Sequence, residues 1–353
     1  MFHPLRVAEV RPLTDDSVTI SFEVPDELRA AYRYAAGQHI AVRRRVDGAE
    51  TRRTYSLCDP APAVGGDGPR QLRVGVRLVA DGEFSTYALK ELAAGDVLDV
   101  MTPAGRFVLE PRPGRFAAVV GGSGITPVLS QIATVLAGEP AASFCLVRSD
   151  RTAASTMFLD EVADLKDRWP DRFQLVSALS REEQQAGLPT GRLDAERLAS
   201  LLPALMPVGA VDGWYLCGPL GLVGAAEQAL HNLGVPRSRV HQEIFHVDEV
   251  PVTTEAGGAV SGGGTIRATL DGRAGSWPSA GGESVLETVL RNRSDAPYAC
   301  KGGVCGTCRT MLVSGEVRME RNFALEPEET EAGYVLACQS HPMTPLVEVD
   351  FDA

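Results

Sequence analysis

The stretch Cys300-Lys301-Gly302-Gly303-Val304-Cys305-Gly306-Thr307-Cys308, followed by Cys338, decides how the C-terminal part of this chain must fold. Its spacing, C-x4-C-x2-C-x29-C, is the one by which a single chain wraps four thiolates round a 2Fe–2S cluster. Four sulfurs must converge on two irons, and Gly302, Gly303 and Gly306 let the backbone pass close and aim N–H groups at them. A structural zinc site is the competing reading. Such sites usually pair two C-x2-C knuckles, and only one is present. The chain has seven cysteines, an odd number, with four in its last 54 residues. That reads as a reducing compartment with a local metal centre rather than a disulfide framework.

Around this loop, residues 265–270 and 273–277 read as two strands joined at Asp271-Gly272, and residues 284–292 as a helix. The spacing predicts an α+β ferredoxin-like unit over 265–353. Before it, residues 247–264 have linker composition, rich in Gly, Val, Thr and Ser and too poor in large apolar residues to bury a core. Further upstream, strand and helix alternate. Strands are predicted at 116–120, 143–147, 173–179 and 213–216, and helices at 126–137, 155–168, 194–202 and 220–233. This is the pattern of a parallel α/β sheet over 111–246. Residues 1–110 carry many short β-rich runs (5–14, 17–24, 38–46, 53–57, 71–79, 97–100) with one helix candidate at 86–94. They predict an antiparallel β-barrel or sandwich.

Composition narrows the partners. Apolar residues make up 44% and charged residues 23% of 353 residues, ordinary globular values that exclude wholesale disorder. The net charge of -12 argues against nucleic acid or an anionic membrane. No window is long and apolar enough to span a bilayer, and Met1-Phe2-His3-Pro4 does not open a secretion signal, so a cytoplasmic protein is expected.

Four further segments carry chemistry. Arg53-Thr54-Tyr55-Ser56 ends a strand of the all-β part and offers a guanidinium for a phosphate, an aromatic face for an isoalloxazine ring and a hydroxyl for its N5 edge. Gly82-Glu83-Phe84-Ser85-Thr86 opens a helix, where free N–H groups bind phosphate. Val76 and Arg77, on the strand just before it, are assigned to the same flavin-binding set. Gly121-Gly122-Ser123-Gly124-Ile125-Thr126-Pro127 follows an apolar strand and opens an apolar helix. Thr126 reads as the N-cap and Pro127 as the first helical residue, while Gly122 and Gly124 permit close approach to a pyrophosphate. Cys217-Gly218-Pro219 ends the fourth α/β strand, placing a thiol at the edge where such sheets bind ligands. Each also has a plain reading as a turn, a cap or core.

Together and in this order, these motifs resemble the ferredoxin–NADP reductase superfamily with a C-terminal plant-type ferredoxin domain, over nearly the whole chain. Ala299–Cys308, Arg321-Asn322-Phe323-Ala324-Leu325-Glu326-Pro327, residues 333–342 and Tyr215–Pro219 narrow the likeness to reductases that serve a multicomponent ring epoxidase or monooxygenase. Two positions depart from the pattern: Leu222 stands where methionine is expected, and Arg148-Ser149-Asp150 where relatives read Tyr-Gly-Asn. The resemblance implies Arg53, Tyr55, Ser56, Gly82, Phe84, Ser85 and Thr86 at the flavin, and Gly122, Gly124, Ile125, Thr126, Pro127, Cys217, Gly218 and Pro219 at the nicotinamide nucleotide. Tyr55, Ser56 and Cys217 would face the reacting ring, and Cys300, Cys305, Cys308 and Cys338 would hold iron.

Electron counting sets the order of events. NAD(P)H releases a hydride, a 2Fe–2S cluster takes one electron at a time, and a flavin does both. The expected path runs from NAD(P)H through FAD (FMN as the alternative) and the cluster to external oxygenase subunits. A steroid-ring or other aromatic oxygenase is an alternative partner, and a redox sensor the alternative class. NADPH is expected over NADH. Ser180 and Arg181, just past the third α/β strand, offer a hydroxyl and a guanidinium for a 2′-phosphate, and Arg151 adds a second positive charge.

Overall fold

The computed structural model describes residues 1–46, 49–63, 65–182, 191–246, 264–293 and 295–353. The chain divides into two compact units, Phe2–Asp248 and Glu249–Ala353. The linker expected at 247–264 lies, except for Gly264, outside the described residues.

The first unit begins with β1 (Phe2–Thr14), β2 (Ser17–Glu23), β3 (His39–Val46), β4 (Ala49–Ser56) and β5 (Gln71–Arg77), then α1 (Glu83–Lys90) and β6 (Val97–Met101). The strands form a six-stranded sheet in the order β4-β3-β6-β1-β2-β5, antiparallel throughout. Leu57 bridges Val74 beyond the end of β4, bringing the two edge strands together in a barrel-like form. Alternate residues point inward, so Ile20, Phe22, Ile40, Val42, Val74 and Val76 make one core, which Phe84 of α1 plugs. The helix runs from Glu83 to Lys90 rather than over 86–94. Gly82 caps it, and a turn closed by the Ala93 carbonyl and Asp96 takes up the residues expected to extend it.

The second half of this unit alternates β7 (Gly114–Gly121), α2 (Ile125–Gly138), β8 (Ala142–Asp150), α3 (Leu159–Arg168), β9 (Phe173–Leu179), α4 (Ala195–Leu205), β10 (Gly213–Pro219), α5 (Leu220–Asn232) and β11 (Val240–His246). All five strands are parallel, in the order β11-β10-β7-β8-β9. The chain leaves β7 in one direction and later returns on its other side, so the sheet's topological switch lies between β7 and β10. The fifth strand, β11, went unpredicted: Val240-His241-Gln242-Glu243 lacks an apolar run, and pairing with β10 makes it a strand.

Eleven of the fourteen residues of α2 are buried, because this helix is enclosed by the parallel sheet on one side and by residues trailing the barrel on the other. Its polar side chains make the joint. Gln131 Nε2 donates to the Phe107 carbonyl (2.7 Å), Ser130 Oγ to the Asp59 carbonyl (2.6 Å), and Thr134 Oγ1 accepts from Ala61 N (2.8 Å). Arg73 of β5 completes it, binding Asp59 through Nε and Glu161 of α3 through both terminal nitrogens. Two expected helix starts differ. Thr126 is not an N-cap: a single 3₁₀ turn at Gly122–Gly124 precedes α2, and the Thr126 hydroxyl donates to the Ser123 carbonyl. The helix expected from residue 155 starts at Leu159, because Thr152 and Ser155 bond each other in a turn and Phe158 sits at φ +55°.

The second unit contains β12 (Thr265–Leu270), β13 (Arg273–Pro278), α6 (Val285–Leu290), β14 (Arg309–Ser314), β15 (Val317–Met319), α7 (Pro327–Glu331), β16 (Tyr334–Leu336), β17 (Ser340–Pro342) and β18 (Leu346–Asp350). A five-stranded mixed sheet, β13-β12-β18-β14-β16, packs α6 through Val285, Leu286 and Val289, and β15 pairs with β17. Ser284 and Glu287 close a capping box at the start of α6. The antiparallel barrel, parallel sheet and ferredoxin-like unit are the three folds expected.

One backbone contact governs the first unit. A Cβ on Gly124 would lie 2.8 Å from Gly218 N and closer still to the Cys217 carbonyl. Gly124→Ala therefore forces the 3₁₀ turn off β10, at a cost of about 2 kcal/mol. Thermal unfolding should show Tm lowered by roughly 5 °C, against no more than a degree for an exposed control such as Gly224→Ala, which has open space around it.

Candidate functional site

The glycine loop after β7 and the Cys217-Gly218-Pro219 turn after β10 lie far apart in sequence and meet at the switch point. Gly218 adopts φ +145°, and a Cβ there would touch Gly121 N and O at 3.0 Å. Gly122 takes φ +54°, a conformation that costs a glycine nothing. Glycines let the two backbones approach closely here, with Leu222 beside Gly121 and Arg77 beside Gly122, next to the start of α2, where free helix N–H groups can meet a phosphate. Ile125, Thr126 and Pro127 form the first turn of α2 and are buried. Cys217 is fully buried, and burial, reinforced by Glu243, holds its thiol well above the ordinary cysteine range. It is a neutral thiol at physiological pH, suited to shaping a pocket and not to nucleophilic attack.

The barrel supplies the opposing wall. Ser56 ends β4, is buried, and pairs across the strand with His39 of β3, so both side chains share a face. Tyr55 packs on Phe84 with ring centroids 5.4 Å apart, and burial raises its phenol above the ordinary range. Arg53 is exposed and donates to the Arg52 carbonyl. At α1, the Ser85 hydroxyl is used locally: it donates to the Gly82 carbonyl and accepts from Val79 N, both at 3.1 Å. What remains for a phosphate there is the set of first-turn N–H groups ahead of Thr86. Glu83 in that turn is neutralised by Arg44, which also stacks on Tyr87. Val76 is barrel core. Arg77 holds Asp16 through Nε (2.9 Å) and the Ser155 carbonyl through Nη2 (2.9 Å), bracing the barrel against the parallel sheet.

Sequence reading missed two residues that the structure brings to this junction. Glu243 of β11 is the register partner of Cys217, and its Oε1 lies 3.7 Å from His39 Nδ1. Both side chains are largely buried, and Glu243 Oε2 and His39 Nε2 have no partner among the described residues. A water-excluded His–carboxylate pair with spare valences suits proton transfer. Their separation of 204 positions in sequence left no local signal. Farther along the sheet edge, Ser180 N donates to the Asp150 carbonyl (2.9 Å) and Arg181 N to the Arg151 carbonyl (2.8 Å). These bonds bring Arg151, Ser180 and Arg181 together, with both arginines exposed.

In the second unit, β14 pairs with β16 so that Ala337 N donates to the Cys308 carbonyl, which sets Cys338 beside Cys308. The four thiols fall into two pairs, Cys300 with Cys305 and Cys308 with Cys338. A hydrogen bond from Cys305, then backbone N–H groups of Gly302, Val304 and Cys305, pull the Cys300 thiol well below its ordinary range. Gly302 N reaches Cys300 Sγ at 3.3 Å, and Gln339 Nε2 reaches Cys338 Sγ at 3.6 Å. The Thr307 hydroxyl is buried beside Cys305 and is directed at its sulfur. Lys301, Gly303 and Gly306 adopt positive φ, which turns the backbone N–H groups inward. Backbone, amide and hydroxyl donors aimed at the sulfurs fit a group of sulfur-bridged iron. The remaining cysteines, Cys58 and Cys145, are core residues whose thiols burial raises.

Known proteins match this arrangement segment by segment. The oxidoreductase FAD-binding domain family matches residues 4–109, the oxidoreductase NAD-binding domain family residues 119–228, and the 2Fe–2S iron–sulfur cluster binding domain family residues 268–343. A subunit of the 1,2-phenylacetyl-CoA epoxidase of Escherichia coli K12 is 42% identical over 356 residues, covering 100% of this chain and 98% of that protein. The ferredoxin reductase component of 3-ketosteroid-9-alpha-monooxygenase from Rhodococcus rhodochrous is 33% identical, covering 98% and 96%. Among solved structures, phthalate dioxygenase reductase, described as a modular structure for electron transfer from pyridine nucleotides to 2Fe–2S, superposes with TM-score 0.59 at 26% identity, covering 99% and 98%. Matches of this length and identity leave one conclusion: the chain belongs to the family of NAD(P)H-dependent oxidoreductases that join FAD-binding, NAD-binding and C-terminal 2Fe–2S domains, the family to which that phenylacetyl-CoA epoxidase component belongs.

Proposed function

We propose that this protein is the reductase component of an aerobic phenylacetyl-CoA epoxidase, passing electrons from NADPH through FAD and its 2Fe–2S cluster to the oxygenase subunits. The observation that carries the choice of partner is the full-length likeness to the Escherichia coli epoxidase component, together with the cysteine loop inside the matched 2Fe–2S domain. The domain limits we propose are 1–110, 111–246 and 265–353, with 247–264 as linker. Seven free cysteines and the use of NADPH suit the reducing cytoplasm.

FAD, when bound, supplies the conversion of a hydride into two single electrons. The residues divide the rest of the work. Arg53 and the first turn of α1 take its phosphates, and Tyr55 and Ser56 line the ring, with Val76 and Arg77 forming and bracing the strand behind. The backbone at Gly122 and Gly124, the first turn of α2 through Pro127, and the Cys217-Gly218-Pro219 turn receive the nicotinamide nucleotide. Ser180, Arg181 and Arg151 grip the 2′-phosphate. A hydride that later departs as electrons leaves a proton behind, and Glu243 with His39 is the buried pair that accepts it. Cys300, Cys305, Cys308 and Cys338 hold the irons.

Four experiments test this reading. Cys305→Ala should remove the cluster's visible absorption and iron content while NADPH still bleaches the flavin; retained iron would break the ligand assignment. Glu243→Gln should slow turnover on the order of 100-fold with flavin and iron content unchanged. Charge-assisted bonds of about 1.5–3 kcal/mol each mean that Arg181→Ala raises the KM for NADPH by about 10- to 150-fold, with little change for NADH. Equal losses for the two coenzymes would refute that assignment. Reconstitution with the oxygenase subunits of a phenylacetyl-CoA epoxidase should give NADPH-dependent consumption of phenylacetyl-CoA. Turnover with a ketosteroid oxygenase alone would transfer the protein to that partner.

A further inference from the structure

We propose that the buried Arg148–Asp150 pair is a positioning element for the coenzyme's 2′-phosphate, and that the preference for NADPH depends on it although neither side chain reaches the coenzyme. This rests on the assignment of Ser180, Arg181 and Arg151 above.

Arg148 and Asp150 are 1% and 2% exposed, and Arg148 Nε lies 2.7 Å from Asp150 Oδ2. Taking both charges out of water is costly, and the structure does not fully compensate it. Arg148 Nη1 and Asp150 Oδ1 are buried without partners among the described residues. A well-packed apolar pair at these positions would stabilise the sheet at least as well. Stability alone therefore does not account for the pair, and its location offers a different reason.

Asp150 is the last residue of β8 and serves two neighbours at once. Its carboxylate takes Arg148, while its carbonyl accepts the Ser180 N–H at 2.9 Å. One residue on, the Arg151 carbonyl accepts the Arg181 N–H at 2.8 Å. Residues 151–157 then form a loop held at both ends and in the middle. Arg148 Nη2 donates to the Met157 carbonyl at its far end (3.0 Å), Arg77 Nη2 to the Ser155 carbonyl (2.9 Å), and Ala153 N to Glu182 Oε2 beside Arg181 (2.8 Å). Arg148 thus spans the loop from its root at Asp150 to its end at Met157. If Asp150 shifts, Arg151 and Ser180 move with it, and Arg181 follows through the Arg151 carbonyl. A phosphate clamp depends on placement to within a fraction of an ångström, so a displaced frame costs affinity without removing any contacting group.

The test uses the holoenzyme carrying Asp150→Asn or Arg148→Lys, each alone and combined with Arg181→Ala. The measurements are calorimetric affinity for adenosine 2′,5′-bisphosphate, KM and kcat for NADPH and NADH, and Tm. Asp150→Asn should weaken the bisphosphate on the order of 10-fold and raise the KM for NADPH by the same factor, leaving the KM for NADH and kcat in place. On the Arg181→Ala background it should cause a smaller loss, since only Ser180 and Arg151 remain to be displaced. A lowered Tm with an unchanged coenzyme ratio, equal losses for both coenzymes, or losses that add in full to those of Arg181→Ala would overturn the proposal. If Arg181→Ala alone leaves the preference untouched, the clamp assignment itself fails. If instead Arg181→Ala shifts the preference and the Asp150 and Arg148 variants do not, only the positioning role fails. Should these variants not fold, amide exchange on the unaltered protein decides. Adenosine 2′,5′-bisphosphate, but not adenosine 5′-monophosphate, should slow exchange at Ser180, Arg181 and residues 151–157, and equal slowing by both would refute the idea.

Discussion

The approach of Gly124 to the Cys217 carbonyl, with Gly218 against Gly121 on the next turn, is the contact on which the redox half of this protein depends. It closes the crevice between β7 and β10 to backbone thickness. Side chains on either segment would hold the two strand ends apart, and the first turn of α2 would no longer present its N–H groups beside the thiol of Cys217. A parallel sheet provides such a crevice wherever its strand order reverses. Glycine at these positions lets the two backbones meet, with Leu222 and Pro219 packed against Gly121 and Arg77 beside Gly122.

A second constraint acts across the barrel and the parallel sheet. Hydride transfer needs two rings in contact, one carried by each, so their relative position has to be held firmly. The joint consists of hydrogen bonds within apolar packing, from Gln131 and Ser130 of α2, Arg73 to Glu161 and Arg77 to Ser155, with His39 facing Glu243 at 3.7 Å. Buried polar bonds of this kind fix a geometry, because misplacing them strands a desolvated donor or acceptor. The last of these lies beside Cys217, the register partner of Glu243.

The ferredoxin-like unit arranges its cysteines differently, as two hydrogen-bonded pairs, Cys300 with Cys305 and Cys308 with Cys338. Within each pair the partner thiol, aided by backbone N–H groups turned toward the sulfur, holds Cys300 and Cys338 below the ordinary thiol range, while Cys305 and Cys308 stay above it. The loop's positive-φ residues are what permit this inward turn.

Much of this was legible in the sequence because the signals are local. The cysteine spacing, the alternation of strands and helices from residue 116, and the glycine loop before α2 are each set by neighbours in the chain, and the structure has them as read. Local reading failed where long-range pairing overrode it. β11 has no strand pattern of its own and exists because β10 offers it a ladder. Thr126, a natural cap by residue type, lies inside the first turn because the 3₁₀ turn packed on Cys217 starts the helix earlier. The side chains of Arg77 and Ser85, both expected in the flavin-binding set, bond Asp16, the Ser155 carbonyl and the Gly82 carbonyl. His39 with Glu243, and the dual service of Asp150 to Arg148 and Ser180, come from strands far apart in the chain. Residue type and spacing thus determined which chemistry this chain carries. Which groups meet, and which are left with spare valences, was decided by the packing of the sheets, since only tertiary structure brings distant strands within the few ångströms over which hydrogen bonds act.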